Sequence, residues 1–221
     1  TSGVRLGPLH GVPVTIKDQF DVAGLPTTYG LSRLRKNIAK ADGRMVAALR
    51  AAGAIVLGKT NVPQTLGAIE TDNDVFGRTN SPWNPARTPG GSSGGEAAAI
   101  SAGFSPLGLG GDFGGSIRVP AAWCGLYGLK PTARRIPEDP PPVRTASGVE
   151  GLVAQPGPIA RHATDVALAF DVLASAPSGR TTLEPPVPWR ELNQATALNV
   201  AVIDRIGQWQ PCPAVGRAIE V

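Results

Sequence analysis

Apolar and polar positions along this chain fall into two periods, and each period marks a kind of element. Val12 to Ile16 (V-P-V-T-I) is a short β-branched run that predicts a strand delivering Lys17 and Asp18 at its end. Asp42 to Ala52 (D-G-R-M-V-A-A-L-R-A-A) places apolar residues at helical spacing, with Gly53 positioned to cap the C-terminus. Ala54 to Leu57 then reads as a buried strand. Glu96 to Ala102 is rich in helix-forming alanine, and Phe104 to Leu109 is apolar enough for a second buried strand. Tyr127 to Lys130 predicts a further short strand, Asp165 to Ser175 a helix capped by Thr164, and Leu198 to Ile203 a strand. Pro137 to Val149 and Ala176 to Gln194 carry too many prolines for regular structure. Helices interleaved with short strands imply an α/β layer with a largely parallel sheet, in one domain over residues 1–221.

Composition narrows the class. At 221 residues and 42% hydrophobic content the chain can bury a sizeable core, and no apolar run approaches the roughly 20 residues of a membrane helix. The net charge of +4 is small, and the densest basic cluster, Arg33 to Lys36, reads as a solvated face rather than a nucleic-acid patch. Cys124 and Cys212 lie far apart without a C-x-x-C pair, so neither a disulfide framework nor a zinc site is implied. That usage suits a reducing, cytoplasmic setting. The opening T-S-G-V-R-L-G-P-L-H lacks a Met and starts inside a loop, and R-A-I-E-V stops within a helix, so the text reads as a fragment.

The candidate chemistry concentrates between Pro89 and Pro131. Two glycine runs, Gly90 to Gly95 and Gly110 to Ser116, bring Ser92, Ser93 and Ser116 beside backbone that can turn its N–H groups toward one point. Exposed hydroxyls next to converging amide donors are what acyl transfer requires. Two further motifs are decoys. Gly53 to Thr60 (G-A-I-V-L-G-K-T) matches a phosphate-binding loop formally, but a helix precedes it, its middle is strand-like, and Pro63 follows Lys59 closely. Gly91 to Gly95 matches G-x-S-x-G around Ser93, but a proline-rich loop stands where the preceding strand should be. Neither His10, in the opening loop, nor His162, at a helix start, suits the role of a base. A serine enzyme built on this chain therefore needs another base, and lysine is available. Cys124, in A-A-W-C-G-L, reads as a buried, inert thiol.

Six stretches taken together resemble the amidase signature family of Ser–Ser–Lys hydrolases. They are G-V-P-V-T-I-K-D, L-G-K-T-N-V-P, F-G-R-T-N-S-P-W-N-P, P-G-G-S-S-G-G-E-A-A-A, G-G-D-F-G-G-S-I-R-V-P-A and Y-G-L-K-P-T, in the family's order. The resemblance runs from about His10 to Leu173. It implies a mixed, largely parallel sheet covered by helices on both faces, incomplete here. Relatives are about twice as long, with a helical segment before the lysine strand and a long C-terminal portion that this text lacks. Gly111 stands where serine or threonine is common.

Carried over by position, the resemblance makes Ser116 the nucleophile, Ser92 the bridging serine behind a cis peptide bond, and Lys17 the base. The oxyanion hole would be the backbone N–H groups of Phe113, Gly114, Gly115 and Ser116. Ser93 would assist the hydrogen-bond network, and Asp112 and Arg118 would buttress the loop. Tyr29, Thr71, Asp72 and Asn73 fall in regions that approach the site in relatives. The implied reaction is hydrolysis of a carboxamide or acylamide through a serine acyl-enzyme. It needs no metal and no cofactor, its partner is a small amide, no nucleic acid or membrane is expected, and a homo-oligomer is allowed. Two other readings stay open: the glutamine-hydrolysing subunit of a tRNA-dependent amidotransferase, and a catalytically silent amidase fold used for binding.

Overall fold

The strand that ends on Lys17 is an interior strand, second from one edge of a five-stranded sheet. The computed structural model describes residues 7–137 and 153–176, together with Gln208, Cys212, Pro213 and Gly216. Tertiary contacts group the chain into two units, 1–188 and 189–221. In the second unit the Gly216 amide donates to the Cys212 carbonyl at 2.9 Å.

In the first unit the strands are β1 (Pro13–Lys17), β2 (Ile55–Thr60), β3 (Leu107–Asp112), β4 (Tyr127–Gly128) and β5 (Gln155–Ala160). The helices are α1 (Arg44–Ala51), α2 (Gly94–Ser101), α3 (Arg118–Cys124) and α4 (Ala163–Ala174). Sheet order is β2-β1-β3-β5-β4. β1 pairs in parallel with both β2 and β3, and β5 runs antiparallel to β3 and β4, so β5 alone opposes the common direction.

Side-chain alternation along β1 divides the molecule. Val14 and Ile16 point into the main core, where Met45, Val46 and Leu49 of α1 meet Val166, Ala169, Phe170 and Leu173 of α4. Thr15 and Lys17 point to the opposite face, where Ile100 of α2 and Ala121 of α3 pack with Ile117 and Ile159. Each layer buries apolar side chains on one side of the sheet, which is the arrangement an α/β sheet needs when both faces are covered. No described helix is long and apolar enough to cross a membrane.

Several elements depart from the sequence reading, each for a tertiary reason. The stretch expected to be a buried strand at Ala54 to Leu57 is instead the edge strand β2, with Ile55 and Leu57 each 54% exposed. Expected at Phe104 to Leu109, β3 runs three residues further, because β5 extends the ladder through the glycines to Asp112 after the pairing with β1 has ended at Leu109. Phe104 is outside it and 74% exposed. α4 begins at Ala163 behind His162, whose extended backbone makes it the N-cap without a side-chain bond, so Thr164 lies inside the first turn.

β5 runs against expectation, because Pro156 and Pro158 argue against an interior strand. The two prolines share one parity, and the Leu129 amide donates to the Pro158 carbonyl at 3.1 Å. A strand residue directs its N and C=O to the same side, so both prolines aim their missing donors toward the β4 side, where β4 pairs only with Ile159 and Ala160. The loop expected at Pro137 to Val149, the connection at Ala176 to Gln194 and the strand at Leu198 to Ile203 lie outside the described residues, apart from Pro137 and Ala176.

Two glycines have a visible cause. Gly53, just past α1, has φ +93°, and a Cβ there would stand 2.7 Å from the His10 backbone. On β3, a Cβ at Gly108 would stand 1.9 Å from Oε2 of Glu96, so only glycine lets α2 lay that carboxylate against the sheet.

Candidate active site

Four segments converge at the carboxyl ends of β1 and β3, where open α/β sheets place ligands. β1 ends on Lys17, the Gly90–Gly95 run leads into α2, the loop leaving β3 holds Phe113 to Ser116, and β5 begins at Gln155. A cavity of about 580 Å³ opens there, with Lys17, Ser92, Asp112, Phe113, Gly114 and Ser116 in its wall. The loop Thr65–Ile69, Gln19, Tyr29, Gly111, Ala154 and Gln155 complete it.

Lys17 is fully buried, and its Nζ donates to Ser92 Oγ at 2.7 Å and to the Gly111 carbonyl at 2.9 Å. Burial lowers its pKa to about 7, against the opposing charges of Asp112 and Glu96, which favour the ammonium. The Gly91–Ser92 peptide bond is cis. Ser93 is buried beside Gly111, with its Oγ 3.4 Å from that residue's amide and carbonyl, and its amide donates to the Ser116 carbonyl at 3.0 Å. This ties the start of α2 to the loop after β3.

That loop is shaped by Asp112. Its carboxylate accepts from the amides of Gly115 (2.9 Å), Ile117 (3.0 Å) and Arg118 (3.2 Å), and from Arg118 Nε (3.0 Å) and Nη2 (2.9 Å). Burial alone would raise the Asp112 carboxyl, but the Arg118 guanidinium and the amides outweigh it and hold the group at about 2. The Gly115 amide is therefore committed to Asp112. Among the described residues the amides of Phe113, Gly114 and Ser116 have no protein acceptor. Ser116 is half-buried, and no hydrogen bond joins its Oγ to Ser92 among the described residues.

Glu96, on the first turn of α2, is also fully buried. Thr15 Oγ1 donates to its Oε2 at 2.5 Å and Thr60 Oγ1 to its Oε1 at 2.6 Å. Burial pushes its pKa up to about 7, against those two hydrogen bonds and the charge of Lys17. A carboxyl and an amine thus share one buried face of β1.

The decoys resolve. Gly58, Lys59 and Thr60 lie within β2, so no cradle of free amides exists there. Lys59 pairs with Asp18 at 3.0 Å and donates to the Pro26 carbonyl (2.8 Å) and Thr27 Oγ1 (2.7 Å). His10 and His162 are exposed, and Arg33, Arg35 and Lys36 sit on a solvated face. Cys124 is buried, with its thiol pKa raised by that burial.

Of the residues flagged near the site, Tyr29 reaches the cavity, while Thr71 and Asn73 hold loops. Thr71 Oγ1 donates to the Gly90 carbonyl at 2.8 Å, and Asn73 bonds Asn61 Oδ1 (2.6 Å) and the Val62 carbonyl (2.7 Å). Asp72 is exposed. Gln19, the Thr65–Ile69 loop and Gln155 carry no catalytic signature in sequence and were not singled out. A Cβ at Gly111 would meet the Gln19 amide at 2.7–2.9 Å, so Gln19 occupies the space a larger residue there would claim. Among the described residues no group of three or more metal-ligating side chains is found.

A buried lysine and serines around a glycine-shaped loop line one cavity at the carboxyl ends of strands in an α/β sheet. The Amidase family model matches residues 1–221, and the chain belongs to that family. It is 46% identical over 173 residues to the acylamidase of Rhodococcus erythropolis, covering 78% of this chain and 35% of that one. It is 40% identical over 223 residues to fatty-acid amide hydrolase 1 of Sus scrofa, covering 96% and 37%. Among solved structures, 6-aminohexanoate cyclic dimer hydrolase complexed with substrate superposes with TM-score 0.81 at 34% identity, covering 97% of this chain and 46% of that one. The chain spans little more than a third of the length of the curated relatives it matches.

Proposed function

We propose that this chain carries the catalytic centre of an amidohydrolase that cleaves a carboxamide or acylamide C–N bond through an acyl-enzyme on Ser116. The observation that carries this reading is Lys17, a fully buried amine with pKa about 7, held 2.7 Å from a serine hydroxyl on the wall of a cavity that also holds Ser116. A lysine that is half neutral at pH 7 serves as a general base, which an ordinary lysine does not.

Once Lys17 is neutral, the Gly111 carbonyl takes one of its hydrogens and its lone pair faces Ser92, whose hydroxyl now donates across the same 2.7 Å contact. Substrate enters with its carbonyl oxygen toward the amides of Phe113, Gly114 and Ser116; we leave Gly115 out of the hole because Asp112 holds its amide. Catalytic hydrogen bonds often tighten only with substrate bound, and the Ser116–Ser92 contact is assigned to that state. Ser116 Oγ then bonds to the carbonyl carbon, its proton passes to Ser92, and the proton of Ser92 passes to Lys17. Each amide donor aimed at the oxyanion contributes on the order of 3 kcal/mol to the transition state. The C–N bond breaks as the proton returns through Ser92 to the leaving amine, and water releases the acid by the same relay. Free, unpaired Cys124 and Cys212 fit a cytoplasmic setting.

The test is active-site labelling with a serine-reactive fluorophosphonate followed by peptide mapping. A single adduct on Ser116, lost in Lys17→Ala, is the expected outcome, and Lys17→Ala should lower kcat by at least about 10³-fold. A folded wild-type protein that takes no adduct would favour the catalytically silent reading.

A further inference from the structure

Gln155 is the one described residue with a buried side-chain polar atom that finds no hydrogen-bond partner. Its Oε1 is orphaned, the residue is 3% exposed, and Gln155 is one of the residues that line the cavity. The amide end is oriented, because Nε2 donates to the Ala154 carbonyl at 2.5 Å. Turning it over would set two oxygens against each other, so it is the acceptor that stays unpaired. A buried acceptor without a donor is disfavoured unless something supplies the donor, and buried polar groups left open in a cavity mark where a ligand completes them.

The register says where that ligand lies. Gln155 stands opposite Asp112 across the β3–β5 ladder, and paired residues of antiparallel strands project to the same face. That face carries Lys17 on β1 and the loop 113–116 leaving β3. A simple carboxamide offers one acceptor, its carbonyl oxygen, and donors only at its N–H. The free amides of Phe113, Gly114 and Ser116 suit the acceptor; Gln155 Oε1 is the complementary group for the donor.

We infer that Gln155 is a substrate-binding residue whose Oε1 accepts a hydrogen bond from the N–H of the scissile amide, selecting primary and N-monosubstituted amides over esters of the same acyl group. This rests on the amidohydrolase reading above and adds its substrate preference. A site built around a substrate N–H leaves its own acceptor unpaired when an analogue lacks that donor, and so rejects the analogue.

Hexanamide and methyl hexanoate share an acyl group and differ in the N–H, so they serve as the probe pair for the intact protein and its Gln155→Met variant. The expected result is a fall of roughly tenfold in the ratio of kcat/KM for the amide to that for the ester. Melting temperature is read alongside. With the orphan acceptor removed the variant should melt at or above the wild type, whereas a purely structural Gln155 would melt lower when replaced. An unchanged amide-to-ester ratio, an equal loss on both substrates, or a clear drop in melting temperature overturns the inference while leaving the hydrolase reading standing. A wild type that takes no fluorophosphonate on Ser116 and cleaves neither compound overturns both.

Discussion

Lys17 is governed by a competition that burial wins. Two carboxylates, Asp112 and Glu96, favour its charged form, yet desolvation takes its pKa to about 7. If neutral Lys17 is the base, kcat/KM should rise with pH through an acid limb near 7, which a pH–rate profile reads directly. Glu96→Gln removes one of the two charges that hold the proton on Lys17, so its limb should move to lower pH; a limb that stays or moves up would contradict this electrostatic account. Asp112 has a different task. Replacing it with alanine strands the buried amides of Gly115 and Ile117 as well as Arg118, and should destabilise the fold by on the order of 3 kcal/mol in a denaturant titration. At this scale Lys17, Ser92 and Ser116 stand out in the sequence only in combination. A lysine after a strand is ordinarily solvated and one glycine run is ordinarily a turn, so it is the set of stretches in their order that singles them out. The fold puts all three in one cavity wall, with Lys17 Nζ 2.7 Å from Ser92 Oγ. Gln155 and Gln19 are ordinary residues made relevant only by what lies across the sheet, and nothing local marks them.

Elements explain which boundaries the sequence could and could not show. α1 was readable because its period, its flanking Gly43 and the positive-φ Gly53 are all local. The C-terminal end of β3 is not readable locally, because Gly110, Gly111 and Asp112 look like a loop until β5 pairs with them. β5 is hidden in the sequence because proline reads as a strand breaker, and only the pairing pattern shows that both missing donors face one side. Glycine on β3 makes its own prediction. Gly108→Ala would drive a methyl into the Glu96 carboxylate and displace α2, so it should cost both melting temperature and activity, whereas alanine at Gly114, where a Cβ meets nothing, should leave melting temperature within experimental scatter.

Across the whole molecule, Lys17 and Glu96, both fully buried, give stability an unusual dependence on pH. The folded chain releases the Lys17 proton near 7 and the unfolded chain near 10.5, so this contribution improves as pH rises across that interval. Glu96 holds a proton up to about 7 that the unfolded chain gives up near 4.5, so its contribution declines as pH rises over that lower range. Relative to a Lys17→Met, Glu96→Gln double variant, the wild type should be least stable near neutrality and recover on either side, measured by urea unfolding at several pH values. The five residues of β1 carry a further consequence. Val14 and Ile16 anchor one layer while Thr15 and Lys17 serve the other, so a slip of one position would exchange grease for chemistry along the entire strand. Heat or mutation that loosens the inner layer must also hydrate the amine, restoring it to an ordinary ammonium. Inactivation and melting should therefore be a single event, and variation at Val14 and Ile16 will be judged by selection as though it had struck the reacting groups themselves.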